Sequence, residues 1–346
     1  MAKLTCKVCG YQAKNIEYHI TTEHEDKGGL SWYVKEFGAS VEDIVDPSLL
    51  TPGRIGRMKF DGIELPAFEI GKDFVPTVES HYHFPSVTKD VAQDILENKK
   101  IMLVGHTGTG KTSLIQQMAA RINQGVIRVN MNGQVTIGDF VGLWTAKAGE
   151  MSWIDGVLPY AMRKGYWLIV DEIDFAEPAI LAVLNAVLEV NGTLCLKENG
   201  HEIVRPHKDF RIFATANTAG CMAQFRSLYQ GANIMNEAFL DRWRIYKIGY
   251  LPPEIETAVL VATIPLREGA ASVLVRVANN IRQAFEREEI ACTFSLRRLI
   301  DWGQMIRRSK DAVTAAESTV FSKISKEDAE VIRGVIRNII PPASTK

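Results

Sequence analysis

The sequence predicts an α/β protein in which a parallel five-stranded sheet is layered between helices and followed by a helical region. Three observations carry that prediction. Five short apolar runs have the length and β-branched content of buried strands: Lys100–Val104, Val126–Asn130, Tyr166–Asp171, Phe210–Ala214 and Ile245–Gly249. Helical patterns alternate with them, and that alternation makes neighbouring strands parallel, with their carboxyl ends at one edge. Beyond Pro252 the strand-like runs stop, and amphipathic helical patterns occupy Ile255–Ile264, Ala270–Arg287, Ser295–Arg308 and Lys326–Ile339.

At 346 residues, 46% hydrophobic and 23% charged, the chain can bury a full core and has the composition of a soluble globular protein. A net charge of −1 gives no general electrostatic case for coating nucleic acid or an anionic membrane. Met1-Ala2-Lys3-Leu4 leads into polar sequence, so no signal peptide is expected. The longest apolar helical candidate, Ala179–Val190, is too short to span a bilayer and carries Asn185 and Glu189. A cytoplasmic location without membrane contact follows as the expectation. Cys195, Cys221 and Cys292 stand alone and read as small buried apolar residues.

From the N-terminus, four divisions are expected: a small module over 1–37, a linker over 38–75, an α/β core over 76–251 and a helical domain over 252–346. In the first, Cys6-x2-Cys9-x9-His19-x4-His24 offers two thiolates and two imidazoles, the ligand set of a closed structural Zn²⁺ site. A segment this small has almost no core, so the metal would supply its folding energy. Residues 1–27 hold four lysines, Lys3, Lys7, Lys14 and Lys27, against four acids, Glu17, Glu23, Glu25 and Asp26. That neutrality favours docking to protein over binding nucleic acid, which needs several cationic contacts. Scattered Pro and Gly between Asp43 and Pro66 give the next stretch the look of a linker.

The strand Lys100–Val104 runs into Gly105-His106-Thr107-Gly108-Thr109-Gly110-Lys111-Thr112, a full match to the phosphate-binding loop, and a helix over Ser113–Ile122 leaves it. Backbone N–H groups of such a loop close around a β-phosphate at a helix N-terminus. Lys111 is placed to reach the β- and γ-phosphates, and the Thr112 hydroxyl to hold Mg²⁺. The third strand ends in Asp171-Glu172, a Walker B pattern. Asp171 would hold the Mg²⁺ shell, and Glu172 would polarise an attacking water. The fourth strand brings Asn217 to the same edge, where an amide can orient that water. Nucleoside triphosphate hydrolysis, with ATP and Mg²⁺, is the activity these residue types support.

Two segments are extra to a minimal core. Trp144–Trp153 is one, with Trp144, Met151 and Trp153 as candidates to grip a substrate. The other, Asn191–Arg205, reads as a hairpin with Asn199-Gly200 in its turn.

Taken with Leu65–Phe68, Phe74–Pro76, Arg205–His207, Phe213–Thr218, Leu228–Gly231 and Leu240-Asp241-Arg242-Trp243, these motifs resemble an AAA+ ATPase of the MoxR type. Within that group the chain is most similar to the CobS-like ATPase subunits of aerobic cobaltochelatases. The likeness covers roughly Phe60–Asp301. The resemblance implies a P-loop AAA+ core with a helical lid, and a homo-oligomeric ring, usually a hexamer, with nucleotide between subunits. It assigns Asn217 as sensor 1 and Arg242 as an arginine finger acting on the neighbouring subunit, with Arg226 and Arg244 as alternatives. It places sensor 2 in Phe294-Ser295-Leu296-Arg297-Arg298, where Leu296 replaces the usual proline; Arg297 is the matching position and Arg298 the alternative. Trp144–Trp153 becomes the helix-2 insert, and both extra segments face the pore or partner side. The N-terminal module resembles a Ros/MucR-type C2H2 finger, a combination in keeping with a phage or mobile-element protein in its host's cytoplasm. The function implied is a motor that remodels a protein partner, one carrying a von Willebrand A-type domain. Two other readings are cobalt insertion into a corrin precursor and a nucleotide-switched DNA-binding assembly.

Overall fold

The computed structural model describes residues 4–9, 12–13, 20, 36, 54–68, 73–131, 135–147, 149–217 and 235–341. Contacts divide the chain into two units, Met1–Gly56 with Pro66–Lys72, and Arg57–Leu65 with Asp73–Lys346. In the first, strands β1 (Leu4–Thr5) and β2 (Gln12–Ala13) pair antiparallel, Leu4 opposite Ala13. Cys6 is buried just after β1, and Cys9 is exposed in the turn. His19 and His24, the other two expected zinc ligands, lie outside the described residues, as do Cys221, Arg226 and Leu228–Gly231. Among the described residues no group of three or more His, Cys, Asp or Glu is placed to hold a metal.

Strands β3 (Arg54–Phe60) and β4 (Ile63–Phe68) form a hairpin inside the stretch expected to be linker. Asp61-Gly62 joins them with φ of 47° and 90°. Two positive φ values in a two-residue connection make the type I′ turn whose twist matches paired strands.

In chain order there follow α1 (Thr88–Leu96), β5 (Ile101–Val104), α2 (Lys111–Arg121), β6 (Val126–Asn130) and α3 (Ile137–Val141). A hairpin of β7 (Gly142–Lys147) and β8 (Glu150–Asp155) precedes α4 (Val157–Lys164), β9 (Trp167–Asp171), a 3-10 turn (Ile173–Phe175) and α5 (Pro178–Leu188). A second hairpin, β10 (Leu194–Leu196) and β11 (Glu202–Val204), leads to β12 (Arg211–Ala216), α6 (Glu237–Leu240) and β13 (Arg244–Lys247). The five predicted core strands form one sheet in the order β13-β5-β12-β9-β6, with every pairing parallel.

Alternation along the strands fills both faces of that sheet. Met102, Val104, Leu168, Val170, Ile212 and Ala214 share a core with Leu158, Met162 and Leu184 of α4 and α5. Ile101, Leu103, Ile169 and Phe213 are buried on the opposite face, where α2 packs. The segment expected to be the helix-2 insert, Trp144–Trp153, lies in the β7–β8 hairpin. Trp153 turns toward the core, whereas Trp144 and Met151 are 46% and 63% exposed. The Trp144 indole donates to the Glu198 carbonyl at 2.8 Å and so ties the two hairpins together.

The helical region comprises α7 (Pro253–Thr263), α8 (Glu268–Glu286), α9 (Leu296–Ser309), α10 (Ala312–Thr319) and α11 (Lys326–Ile339). Its core is separate from that of the sheet and surrounds Phe294, Trp302 and Phe285. Side-chain caps start three of these helices, Ser295 for α9, Asp311 for α10 and Ser325 for α11. Of the five, α10 is the helix without a sequence expectation. Among the described residues no helix is long and apolar enough to cross a membrane.

Candidate functional site

The register of the sheet builds the site. Parallel pairing places Val104 beside Ala216, Ala214 beside Val170 and Asn130 beside Asp171, so the loops after β5, β9 and β12 leave the same edge. Gly105 follows β5 at a close backbone approach: a Cβ there would lie 2.1 Å from the Ile248 carbonyl oxygen, which no other residue type tolerates. The loop turns through Thr109, whose hydroxyl donates to the His106 carbonyl at 2.9 Å. Gly110, at φ 88°, opens α2.

Lys111 is buried and donates to the carbonyls of Gly105 at 2.6 Å and His106 at 3.0 Å, and to Asn217 Oδ1 at 3.2 Å. Burial lowers its pKa to about 8 against the pull of Asp171, Asp174 and Glu172. His106 is pushed down as well, by burial and then by Lys111. An ammonium this poorly solvated gains most from an anionic ligand.

Thr112 Oγ1 donates to Asp171 Oδ1 at 2.8 Å. Asp171 is buried, and its Oδ1 also accepts from the Thr215 hydroxyl while its Oδ2 accepts from both Nε (2.7 Å) and Nη2 of Arg128. These partners fix the carboxylate so that one oxygen faces Thr112. A hydroxyl beside a buried carboxylate is a hard-oxygen pair suited to Mg²⁺, which binds through one or two such groups plus water and phosphate.

Glu172 adopts φ 56°, ψ 46°, a left-handed conformation unusual for a residue with a Cβ, and its N–H donates to Thr215 Oγ1 at 3.1 Å. Strained backbone at a strand end concentrates at working sites. Asn217 is held through its N–H, which donates to Asp174 Oδ2 at 3.1 Å. Thus Gly105–Thr112, Asp171, Glu172 and Asn217 converge on one edge.

Arg242 stands apart from this group. Its guanidinium donates to Glu189 Oε1 at 2.9 and 2.7 Å and to the Ala238 carbonyl. Arg244 approaches Asp94 at 3.5 Å. In the helical region Arg298 donates to the Thr293 carbonyl at 2.8 Å, and Arg297 projects exposed from the start of α9.

Three participants are absent from the sequence expectations. Thr215 is a hydroxyl inside an apolar strand, Arg128 a cation inside another, and Asp174 an acid three residues beyond Asp171. Polar residues within otherwise buried runs are the signal that could have drawn attention to them.

Residues 100–242 match the AAA domain of the dynein-related subfamily, and residues 256–341 match the CbbQ/NirQ/NorQ C-terminal domain. The chain is 32% identical over 281 residues to the aerobic cobaltochelatase subunit CobS of Sinorhizobium sp, covering 78% of this chain and 84% of that one. It is 27% identical over 278 residues to midasin of Dictyostelium discoideum, covering 77% of this chain but 4% of that much longer protein. A protein of Staphylococcus haemolyticus is 28% identical over 247 residues, 69% of this chain and 90% of its own length.

Proposed function

The chain belongs to the MoxR/CobS family of AAA+ ATPases, and from that membership we propose that it is a ring-forming motor that uses ATP hydrolysis between subunits to remodel a protein partner. The observation that carries the reading is the convergence of Lys111, Thr112, Asp171, Glu172 and Asn217 on one sheet edge. Lys111 binds the β- and γ-phosphates. Thr112 and Asp171 are the residues that would hold Mg²⁺, and the ion would supply positive charge to offset the charge that develops on the transferred phosphoryl group. Glu172 accepts a proton from water as its oxygen attacks the γ-phosphorus and the bond to the β–γ bridging oxygen breaks, releasing ADP. Asn217 orients that water. Arg242, held against Glu189 away from its own chain's phosphate loop, serves the next subunit, and Arg297 is favoured over Arg298 for sensor 2 because Arg298 is engaged with Thr293.

A hexameric ring, a partner with a von Willebrand A-type domain and a Zn²⁺ held by Cys6, Cys9, His19 and His24 complete the proposal. The similarity to CobS supports a second reading, in which this motor drives metal insertion as part of a cobaltochelatase. Glu172→Gln tests the main one. The amide keeps the shape of the acid and cannot take the proton, so the variant should retain ATP, turn over at least about a hundredfold more slowly and assemble as an ATP-loaded ring. Light scattering and nucleotide analysis would read this out. A monomer in saturating ATP, or turnover at the parent rate, would overturn it.

A further inference from the structure

Between the last core strand and the first helix of the lid lies Tyr250, and it touches both sides. Its hydroxyl donates to the carbonyl of Thr107 in the phosphate loop at 3.3 Å and shares a 2.6 Å hydrogen bond with Thr293 Oγ1 in the loop that leads into α9. Having one proton, it gives that proton to the Thr107 carbonyl and receives one from Thr293. Its ring plane lies within 11° of that of His106, also in the phosphate loop, at 6.5 Å between centroids. On the lid side the Arg282 guanidinium sits 4.0 Å from the ring centroid.

Arg282 is itself a junction. It is 4% exposed, and it donates to both carboxylate oxygens of the buried Glu256 on α7 at 2.8 and 2.6 Å. It also donates to Asn279 Oδ1 at 2.8 Å and, through Nε, to the Phe294 carbonyl at 2.7 Å. Phe294 precedes Ser295, the cap of α9, so the same guanidinium fixes the start of the helix that carries Arg297. That start is pressed on the phosphate loop: a Cβ on Gly108, at φ 77°, would lie 2.2 Å from Ser295 Cβ.

We propose that Tyr250 and Arg282 are positioning residues for ATP hydrolysis, a rigid link that transmits the position of the Thr107 backbone to the N-terminus of α9 and so sets Arg297 toward the nucleotide. The joints run from 3.3 Å between Tyr250 and the phosphate loop to 2.6 Å between Tyr250 and Thr293. The phosphate loop meets Tyr250, Tyr250 meets Arg282 and Thr293, and these two hold the segment immediately before α9. A buried, multiply bonded guanidinium has one low-energy placement, because moving it strands Glu256 and the Phe294 carbonyl in the core. Phosphate binding that shifts Thr107 therefore moves the whole segment. This inference rests on the assignment of Arg297 as sensor 2.

Tyr250→Phe is the test, since it removes one oxygen and keeps the ring under Arg282. ATP-analogue affinity should stay within about twofold of the parent and kcat should fall about five- to tenfold, a loss confined to the chemical step. Arg297→Ala alone should also lower kcat, and the double variant should be no slower than Arg297→Ala, because both act through one arginine. Hydrogen exchange supplies a second readout: nucleotide should protect residues 293–299 in the parent and leave them unprotected in Tyr250→Phe. If Arg297→Ala is slow but Tyr250→Phe is fully active with normal protection, or if the two losses multiply, the link is overturned while Arg297 stands. If Arg297→Ala turns over at the parent rate, the assignment of Arg297 fails and takes the link with it.

Discussion

Asp171 has one oxygen shared by Thr112 and Thr215 and another gripped by Arg128, so a single buried carboxylate reports on four elements of the core. The phosphate-loop and Walker B residues were legible in sequence because their chemistry demands fixed spacing along the chain. Thr215 and Arg128 were not, since they meet Asp171 only through the register of β12 and β6 against β9. Lys111 carries a prediction of its own. With burial holding its pKa down to about 8, the Lys111 amine of the nucleotide-free site loses its proton around that pH. Phosphate favours the charged form and raises the pKa on binding, so the sign is fixed: binding takes up protons above pH 7 and weakens as pH rises through the free-site pKa. Titration calorimetry in buffers of different ionisation enthalpy should show roughly half a proton taken up per site at pH 8, with affinity falling up to about tenfold per pH unit beyond it. Heats that do not change with the ionisation enthalpy of the buffer between pH 7.5 and 9 would contradict the placement of Lys111.

Among elements, the central strands β5, β9 and β12 were readable because a parallel strand buried on both faces is a continuous apolar run, whereas the partly exposed edge strands β6 and β13 were readable through their alternation with helices. The β3–β4 hairpin is masked in sequence by the linker-like Pro and Gly around it, although Phe60-Asp61-Gly62-Ile63 carries the Asp-Gly signal of a tight turn. Helix α10 escaped for another reason: Ala312–Thr319 is short and rich in alanine, so it shows little periodic contrast. Strands of two residues each, β1 and β2, bring Cys6 and Cys9 into one turn and cannot hold it by themselves. If the proposed Zn²⁺ supplies its folding energy, chelation should unfold this N-terminal module and leave ATP hydrolysis intact, and metal analysis should find one zinc per chain. Zinc-free protein with an unchanged amide spectrum for residues 4–13 would remove the metal from the account.

At the scale of the whole molecule, the α/β sheet and the helical region keep separate hydrophobic cores, one around Leu168 and Phe140 and one around Trp302. A sequence shows such cores through periodicity, but it carries no mark of which surfaces meet in a ring, because those contacts form between copies. Arg242 is where the ring becomes testable. If it serves the neighbouring site, Arg242→Ala should still bind ATP, since Lys111, Thr112 and Asp171 are untouched, yet hydrolyse it about a thousandfold more slowly, the order of effect of a cation lost from the γ-phosphoryl group. Lys111→Ala should lose binding. Mixed rings of the two inactive proteins contain interfaces where an intact Lys111 faces an intact Arg242, so ATPase activity should partly return on mixing and vanish again on dilution below the assembly concentration. An Arg242 that acted within its own chain would give no recovery, because each subunit would carry its defect into every ring. Failure of mixed rings to hydrolyse ATP, once their formation is verified by scattering, would therefore move the finger to Arg226 or Arg244, and of these Arg244 is already drawn toward Asp94 on its own subunit.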